Sequence, residues 1–267
     1  NQYKTAVDPT EETDITAGEE QKVTYTFKDK DDNPIADKKV TLSENRLGND
    51  DKVKYSLDGE NWVSDITELN SGLETDQNGN VEVYIKSETA GETGTVIATV
   101  DSSIVTSGEL TIVPAEINKL EFIEQPVDTF ASKKMNDVKV GICDEFGNVV
   151  VDYNGDVSIE LDNNPSSSSL NGILIANTVN GIAAFENLSI DEVGRKYTIK
   201  AKSTANSLEV ISEEFNIKDN ISLDNETGLV NDKTPTITGT VDDLESGSDV
   251  EVVITDKDGN LVFEKEA

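Results

Sequence analysis

Short stretches in which apolar and polar residues alternate recur along this chain, and they constrain its fold more than any other feature. In Lys22–Lys28, for example, Val23, Tyr25 and Phe27 occupy every second position, which is the period of a β-strand with one buried face. The same pattern occurs at Val81–Lys86, Thr95–Thr99, Val138–Cys143, Val157–Leu161, Tyr197–Ala201 and Val250–Thr255. No long apolar stripe has the helical period, and we expect at most a short helical turn at Asp191–Val193. Many short strands separated by turns predict an all-β chain built from sandwiches.

The turns between these strands share a sequence frame. Asp76–Asn80, Asp144–Asn148 and Asp256–Asn260 each read Asp-x-x-Gly-Asn, and Asp29–Pro34 is a close relative. An Asp side chain can accept hydrogen bonds from the backbone that follows it, and Gly supplies the positive φ that closes a tight turn. The frame also resembles the opening of a calcium-binding EF-hand loop, but no copy has the bidentate Glu in a helical frame. We therefore expect tight links between strands.

Composition excludes several classes of function. Lys and Arg number 22 against 54 Asp and Glu, a net charge of −32, so we expect no binding of nucleic acid, whose phosphates a chain this acidic repels. No run of about 18 apolar residues exists, so we expect no membrane insertion. The chain has no His, which excludes His-based general-base catalysis and His-ligated metals. Cys143 is the only Cys, so no intrachain disulfide forms, and we expect it to be a small buried residue.

The motifs K-L-E-F-I-E-Q-P, D-E-F-G-N-V-V, N-G-I-A-A-F-E-N-L-S-I-D-E-V-G-R-K-Y-T-I-K-A and S-E-E-F-N-I follow one another through Lys119–Ile217. Together they resemble a bacterial Ig-like repeat of the kind found in large surface proteins. The resemblance implies core positions for Phe185 and Leu188, a turn at Gly194, the tyrosine-corner region for Tyr197 and the last strand for Phe215.

Two further segments resemble Ig-like domains. Gln21–Val113 contains V-T-Y-T-F-K-D-K-D-D-N-P-I-A-D-K-K-V-T-L and L-E-T-D-Q-N-G-N-V-E-V-Y-I, which resemble the invasin/intimin type. It departs from that type through an insertion at Arg46–Gly72, which holds the only Trp. Thr234–Ala267 resembles the first half of a third Ig-like domain, of a type common in adhesins.

These resemblances predict tandem immunoglobulin-like β-sandwiches, the last one incomplete. We expect Ig-like domains at 1–114, with the insertion at 46–72, and at 115–217, and the first part of a third at 218–267. The linkers Pro114–Glu116 and Lys218–Asn220 are short, which predicts a fairly stiff array.

Within the insertion, Ser56–Trp62 reads S-L-D-G-E-N-W, which resembles the Asp-box turn of sialidases but is one residue short and occurs once. We expect a hairpin anchored by Trp62, and an exposed carbohydrate-stacking platform is the alternative. With 54 acids, adjacent carboxylate pairs are inevitable and do not single out a glycosidase site, so we expect no enzymatic activity. A Lys–Asn isopeptide crosslink is disfavoured because Lys residues such as Lys139 and Lys200 alternate onto outward faces.

The alternating strand directions of an Ig-like domain gather acidic loops at its two ends. At the first junction we expect Glu88 and Glu92, Glu116 of the linker, and Asp144 and Glu145. At the second junction we expect Asp191 and Glu192, Asp219 of the linker, and Asp242, Asp243 and Glu245 of the third segment. Crowded carboxylates repel one another unless a cation lies among them, and calcium takes about six to eight oxygen ligands. We therefore predict calcium at these junctions, and the alternative is that the acidic loops are merely solvated ends.

Together these features favour a structural role outside the cell, on a bacterial surface. We expect a segment of a surface-layer (S-layer) subunit, whose calcium-stiffened domains contact other copies in a lattice or neighbouring domains of a longer chain. A cell-wall polymer would bind only through regions outside this segment. The low Arg content beside 20 Lys also resembles Gram-positive surface-layer proteins.

The alternatives are the spacer stalk of an adhesin and an accessory module of a secreted polysaccharide-degrading enzyme. A stalk should show near-identical repeats, whereas the three segments differ in type. An enzyme accessory should carry aligned exposed aromatic residues, whereas most aromatics here fall at predicted core positions.

Overall fold

The computed structural model describes residues 3–47, 51–203, 205 and 207–219, together with the backbone of four short strands beyond them. The chain is all-β, as the alternating pattern predicts, and consists of tandem Ig-like β-sandwiches, as the resemblance implies. Its contacts divide it into unit 1, Asn1–Lys119 with Ile142–Tyr153, and unit 2, Leu120–Gly141 with Asn154–Ala267. The domain boundaries drawn from the sequence stay predictions.

Unit 1 contains nine strands in two sheets. They are β1 (Lys4–Asp8), β2 (Thr13–Thr16), β3 (Glu20–Lys28), β4 (Val40–Asn45), β5 (Val53–Ser56), β6 (Asn80–Ser87), β7 (Thr93–Val100), β8 (Ser103–Thr106) and β9 (Leu110–Val113). One sheet has the order β1-β3-β6-β5, and the other has the order β2-β9-β7-β4 with β8 beside β7. Val23, Tyr25 and Phe27 of β3 are fully buried between the sheets, and the Tyr25 hydroxyl donates to the Val96 carbonyl at 2.7 Å.

The segment identified as an insertion, Arg46–Gly72, contributes a strand to the sandwich. Its β5 pairs with β6, so that Tyr55 lies opposite Ile85, and Tyr55 is buried. A short 3-10 helix, Ile66–Asn70, follows, and the Asp65 side chain caps it by accepting from the Thr67 N–H at 2.8 Å. Sequence analysis did not predict this helix because it has no apolar periodicity.

Up to residue 219, twelve strands of the described residues belong wholly or largely to unit 2. They are β10 (Lys119–Glu124), β11 (Thr129–Phe130), β12 (Val138–Cys143), β13 (Asp156–Leu161), β14 (Leu170–Asn171), β15 (Ile175–Asn177), β16 (Ile182–Phe185), β17 (Ser189–Ile190), β18 (Gly194–Tyr197), β19 (Ile199–Ser203), β20 (Glu209–Ile211) and β21 (Phe215–Lys218). The sheet orders are β10-β12-β16, β11-β21-β18, β15-β13-β19-β20 and β14-β17. The last two residues of β12 belong to unit 1.

The core positions implied by the Ig-like resemblance are confirmed. Phe185 and Leu188 are fully buried, and Phe215 lies on β21 with its ring stacked on Tyr197 at 5.9 Å between centroids. The Tyr197 hydroxyl donates to the Glu192 carbonyl at 2.9 Å, which is the tyrosine-corner hydrogen bond. Cys143 is a free, fully buried thiol, as expected.

Two local predictions in unit 2 are wrong, at Gly194 and at Tyr197–Ala201. Gly194 begins β18 instead of forming a turn, and a Cβ atom there would lie 2.8 Å from the Tyr197 ring, so the close ring requires the Gly. Asp191–Val193, where at most a short helical turn was expected, forms none, because the chain leaves β17 and enters β18 within these residues. The single strand predicted at Tyr197–Ala201 is interrupted at Thr198, which separates β18 from β19.

Beyond residue 219 the structure describes only the backbone of four strands. They are β22 (Ser222–Leu223), β23 (Gly239–Thr240), β24 (Glu251–Thr255) and β25 (Leu261–Glu266). β22 pairs with β23, and β24 pairs with β25, so the strand predicted at Val250–Thr255 is confirmed. The rest of the predicted third domain, with Asp242, Asp243 and Glu245, lies outside the described residues. Within the described part, no helix has the length and apolar content needed to cross a bilayer.

Candidate functional site

Three loops with the Asp-x-x-x-Asn frame adopt one hydrogen-bonded structure. In each, the N–H of the Asp donates to the carbonyl of the Asn four residues later, at 2.9 Å from Asp29 and Asp76 and at 3.0 Å from Asp144. The Asp Oδ1 in turn accepts the N–H groups of the third and fifth residues. The fourth residue has a positive φ, which is 68° at Asp32, 76° at Gly79 and 92° at Gly147. In these three loops the motif is therefore a tight link between strands, as expected from its sequence, whereas the copy at Asp256–Asn260 lies outside the described residues.

The Asp144–Asn148 loop differs from the other two because its Asp is fully buried. The carboxylate accepts four hydrogen bonds from N–H groups. The donors are the backbone N–H groups of Phe146 at 3.0 Å, Asn148 at 2.8 Å and Ala115 at 3.0 Å, and the Asn148 side chain at 2.8 Å. Its oxygens are therefore saturated by donors from its own loop and from Ala115.

The Asn148 side chain attaches this loop to a second loop of unit 1. Its Nδ2 donates to the Glu88 carbonyl at 2.7 Å, and its Oδ1 accepts the Ala90 N–H at 2.9 Å. We call this pair of hydrogen bonds the amide bridge. Because it satisfies both a donor and an acceptor of the backbone, it fixes the Ser87–Gly91 loop as well as its own.

Phe146 adds an apolar contact to the same region. A Cβ atom at Gly18 would lie 2.5 Å from the Phe146 ring, so the phenyl ring packs against the bare backbone of a residue with φ +84°. The ring is 37% exposed. A larger residue at position 18 would displace it.

Local hydrogen bonds set the pKa values of the turn carboxylates. Burial opposes ionisation of Asp144, but the hydrogen bonds from Asn148, Ala115 and Phe146 outweigh it and lower its pKa. The Asn33 side chain and backbone lower the pKa of Asp29, and the backbone and side chain of Asn61 lower that of Asp58. These groups stay ionised at neutral pH as turn acceptors.

The structure gives the acidic residues predicted at the first junction different surroundings. Glu88, Glu116 and Glu145 are exposed, and Glu92 pairs with Lys52 at 3.3 Å. Of these five residues only Asp144 is buried, and its oxygens accept hydrogen bonds from N–H donors. Among the described residues, no group of three or more acidic or other ligating side chains is arranged to hold a metal ion.

At the predicted second junction, Asp191 and Glu192 are exposed. Asp191 accepts from the Ser132 hydroxyl at 3.1 Å and from the Asn171 side chain at 3.1 Å. Asp219 has a buried Oδ2 with no hydrogen-bond partner among the described residues. The remaining predicted ligands, Asp242, Asp243 and Glu245, are outside the described residues, so the calcium hypothesis stays a prediction at both places.

The Ser56–Trp62 motif forms the hairpin turn expected from its sequence. Asp58 Oδ1 accepts the N–H groups of Glu60 and Asn61, both at 2.8 Å, and the Trp62 indole N–H donates to the Gly59 carbonyl at 3.2 Å. The Lys86 ammonium lies 3.8 Å from the centre of the Trp62 ring, a cation–π contact. One face of the only indole is therefore covered by a cation, and a sugar could stack only on the other face.

Sequence reasoning placed Asp144 in a group of metal ligands and missed its role as a buried acceptor. The available signal was Phe146, an apolar residue at the tip of a turn where the related Asp29 loop carries Asp31. Asn148, Glu88 and Ala90 gave no separate signal, because two of these groups act through the backbone.

Comparison with known proteins gives structural matches only. No protein-family model and no curated protein matches the chain. Domains 5–6 of the S-layer protein SbsC are 17% identical with a TM-score of 0.30, covering 79% of this chain and 95% of that chain. The Escherichia coli adhesin FdeC is 14% identical with a TM-score of 0.39, over 82% of this chain and 64% of that one. The Yersinia pseudotuberculosis adhesin InvE is 14% identical with a TM-score of 0.34, over 81% and 59%. At these identities the likeness concerns the fold alone.

Proposed function

We propose that this chain is a structural segment of an extracellular bacterial surface protein. The observation that carries the proposal is the Asp144–Asn148 loop. Its fully buried carboxylate and the amide of Asn148 both form hydrogen bonds that hold neighbouring backbone in place. A buried charge is costly unless its oxygens are all hydrogen-bonded. Here its hydrogen bonds hold two loops and Ala115 together, which suits a module that must keep its shape.

The electrostatics of the described residues also favour a structural role over an enzymatic one. Where the pKa of a described carboxylate is shifted, neighbouring groups lower it. These carboxylates are Asp29, Asp58, Asp65, Asp144, Glu160 and Asp162. A general acid instead needs a pKa raised toward the working pH. The composition without His and with one buried Cys supports a location outside the cell, where metal and redox conditions are not controlled.

We propose further that the segment belongs to an S-layer subunit whose array binds calcium. Asp144 is excluded as a ligand while its N–H donors are in place, so Glu88, Glu92, Glu116 and Glu145 remain as the ligands predicted at the first junction. Of the ligands predicted at the second junction, Asp219 has a buried Oδ2 without a hydrogen-bond partner among the described residues, and this oxygen would gain from a cation.

Calcium titration of the whole chain, followed by calorimetry and small-angle scattering, tests this proposal. Calcium is expected to raise the melting temperature and extend the particle, and electron microscopy should then show sheets. The variant E88Q/E92Q/E116Q should lose the unit 1 part of the calcium response. The matched control E11Q/E12Q/D14N removes three acids of unit 1 that are exposed and should keep the response.

The absence of a calcium response would overturn the calcium part of this proposal. If calcium and chelator leave melting and shape unchanged, the acidic loops are solvated ends and calcium has no role. If the chain also stays monomeric without forming sheets, the spacer stalk of an adhesin becomes the better assignment.

A further inference from the structure

Unit 2 contains the longest stretch of this chain without a charged residue, residues 163–185. The whole chain has 54 acidic and 22 basic residues among 267, so a neutral stretch of this length is unusual in it. The stretch includes β15 and β16. In the described residues these are outer strands of two different sheets. We call residues 173–179, which contain β15, the neutral edge.

The neutral edge exposes three apolar side chains on one face. Ile173 is 49% exposed, Ile175 64% and Val179 71%. They occupy alternate positions, so they share the outer face of the sheet. Natural proteins commonly protect an outer strand with charged residues or Pro, because an apolar outer strand is a template for pairing with another chain. The neutral edge has neither form of protection.

The backbone of the neutral edge directs hydrogen-bonding groups away from its own sheet. The Leu174 carbonyl accepts from the Ile159 N–H at 2.9 Å, and the Thr178 N–H donates to the Gly155 carbonyl at 2.9 Å. The even-numbered residues therefore direct their backbone groups toward β13. Because alternate residues of a strand direct these groups to opposite sides, the N–H and C=O of Ile175 point away from β13.

We propose that the neutral edge pairs with the neutral edge of a second copy of this chain, across a two-fold axis at Ile175. Antiparallel pairing then places Ile175 opposite Ile175 of the second copy, and Ile173 opposite Asn177 of the second copy. About six backbone hydrogen bonds form between the outward groups, and the exposed isoleucines of the two copies contact one another. The proposal rests on the proposed function only in that copies of this chain contact one another, and it requires no calcium.

Charge favours a second copy at this place. Two copies with a net charge of −32 each repel one another over most of their surface. The sheet register places Asp156 beside Asn177 and, continued by two residues, Glu160 beside Ile173. In the proposed pairing, Glu160 of one copy and Asp156 of the other are three strand spacings apart, about 14 Å. This separation exceeds the Debye length of about 8 Å at physiological ionic strength, and Glu160 also pairs with Lys202.

The opposite outer strand of the same sheet, β20, is unsuited to such a contact. It also exposes an isoleucine, because Ile211 is 50% exposed. However, β20 carries the exposed Glu209, and the exposed Glu213 and Glu214 follow it. Pairing of β20 with itself would bring these carboxylates close to those of the second copy, which is destabilising. Ile211 therefore provides a matched control for Ile175.

Sedimentation equilibrium of the whole chain tests the proposal. The wild type should show a monomer–dimer equilibrium, and added salt should favour the dimer by screening the remaining charge. Ile175→Glu and Ile175→Lys should each dimerise at least about tenfold more weakly, because like charges then face each other across the axis. An equimolar mixture of these two variants should regain the dimer, which would also show that both are folded. Ile211→Glu and Ile211→Lys should dimerise like the wild type.

A disulfide variant tests the register of the pairing. Facing Cα atoms of a hydrogen-bonded antiparallel pair lie about 5.5 Å apart, a separation that a disulfide spans. Under oxidation, Ile175→Cys should therefore form a crosslinked dimer, whereas Ile211→Cys should not. Cys143 is buried and does not compete with either new thiol.

Three outcomes would overturn the proposal. A wild type that stays monomeric up to its solubility limit would exclude the pairing, and the calcium titration would still decide the proposed function. Dimers that persist unchanged in Ile175→Glu would place the contact on another surface and leave the proposed function intact. Equal weakening by Ile175→Glu and Ile211→Glu, without recovery in the mixture of Ile175 variants, would show that added charge alone controls association.

Discussion

The loops Asp144–Asn148 and Asp29–Asn33 have the same internal hydrogen bonds and opposite surroundings. In both, the Asp accepts two backbone N–H groups and the side-chain amide of the Asn. Asp144 is fully buried, whereas Asp29 is partly exposed and Asn33 is exposed. The Asp and Asn of the motif therefore specify the turn, and the residues between and around them decide whether the turn also becomes a contact.

The residues between the Asp and the Asn account for the difference. Phe146 and Gly147 occupy the third and fourth positions of the buried loop, whereas Asp31 and Asp32 occupy them in the exposed one. Asp32 pairs with Lys4 at 2.9 Å and Asp31 with Lys30 at 2.8 Å, both in exposed settings. Exposed ion pairs of this kind contribute little to stability. The Asp29 loop is thus suited to water, and the Asp144 loop to contact with neighbouring backbone.

The largest expected difference comes from replacing each Asp with Asn. Asp144→Asn keeps the shape but turns an NH2 group toward N–H donors, so it should lower the free energy of unfolding of unit 1 by about 2–3 kcal/mol. Asp29→Asn should have a clearly smaller effect, because water can reach the donors it leaves. Urea unfolding followed by fluorescence of Trp62, the only Trp, measures unit 1 directly.

Equal losses of unfolding free energy in Asp144→Asn and Asp29→Asn would contradict this expectation. They would mean that burial of Asp144 adds nothing to the strength of its hydrogen bonds, and that the internal turn alone matters.

Acid should have the next largest effect, because it protonates Asp144. The folded-state pKa of Asp144 is lowered, so its contribution is present above the unfolded-state pKa of about 3.9 and is lost as the pH falls through the lower folded value. Protonation keeps one acceptor oxygen, so the loss should stay below that of Asp144→Asn, at about 1–2 kcal/mol. Unfolding free energies of wild type and Asp144→Asn, measured from neutral pH downward, should approach each other in acid without becoming equal. Parallel curves would show that Asp144 does not titrate with unfolding.

Removing the amide bridge should have a smaller effect. Asn148→Ala loses the bond to Asp144 inside its own turn and, in addition, the hydrogen bonds to the Glu88 carbonyl and the Ala90 N–H. The last two groups are partly accessible to water, so the variant should cost about 1 kcal/mol. Asn33→Ala loses only the bond inside its own turn and should cost less. The same fluorescence measurement compares the two, and a larger loss in Asn33→Ala would reverse the assignment of the two loops.

The sequence predicts the strands of this protein better than it predicts its contacts. The alternation of Val23, Tyr25 and Phe27 is a local property, and the structure confirms the strand and its buried face. The tyrosine corner of Tyr197 was also predictable, because the Ig-like resemblance fixes that position. Both features depend on residues that are close in sequence or repeated in many related folds.

The contacts of the Asp144 loop could not be predicted in the same way. The Asp29 and Asp144 loops share the Asp and the Asn of the motif. The outside partners of the Asp144 loop are the backbone N–H of Ala115, which donates to Asp144, and Gly18, which contacts the Phe146 ring. Every residue other than Pro carries the same backbone N–H and C=O groups, so the sequence does not indicate which of them bind a side chain. The calcium hypothesis treated Asp144 as a metal ligand for that reason, and its test now depends on the other acidic residues.

The smallest expected difference concerns two glycines with positive φ, Gly18 at 84° and Gly91 at 95°. An Ala at either position is strained by about 1 kcal/mol. At Gly91 nothing lies within 4 Å of the added Cβ, whereas at Gly18 the Phe146 ring lies 2.5 Å away. Because the partly exposed ring can move, Gly18→Ala should cost only about 0.5 kcal/mol more than Gly91→Ala. That excess should vanish when Phe146→Ala is also present, and a double-mutant cycle with Trp62 fluorescence measures it. An excess that persists without the ring would place the strain in the backbone of the corner and remove Phe146 from the contact.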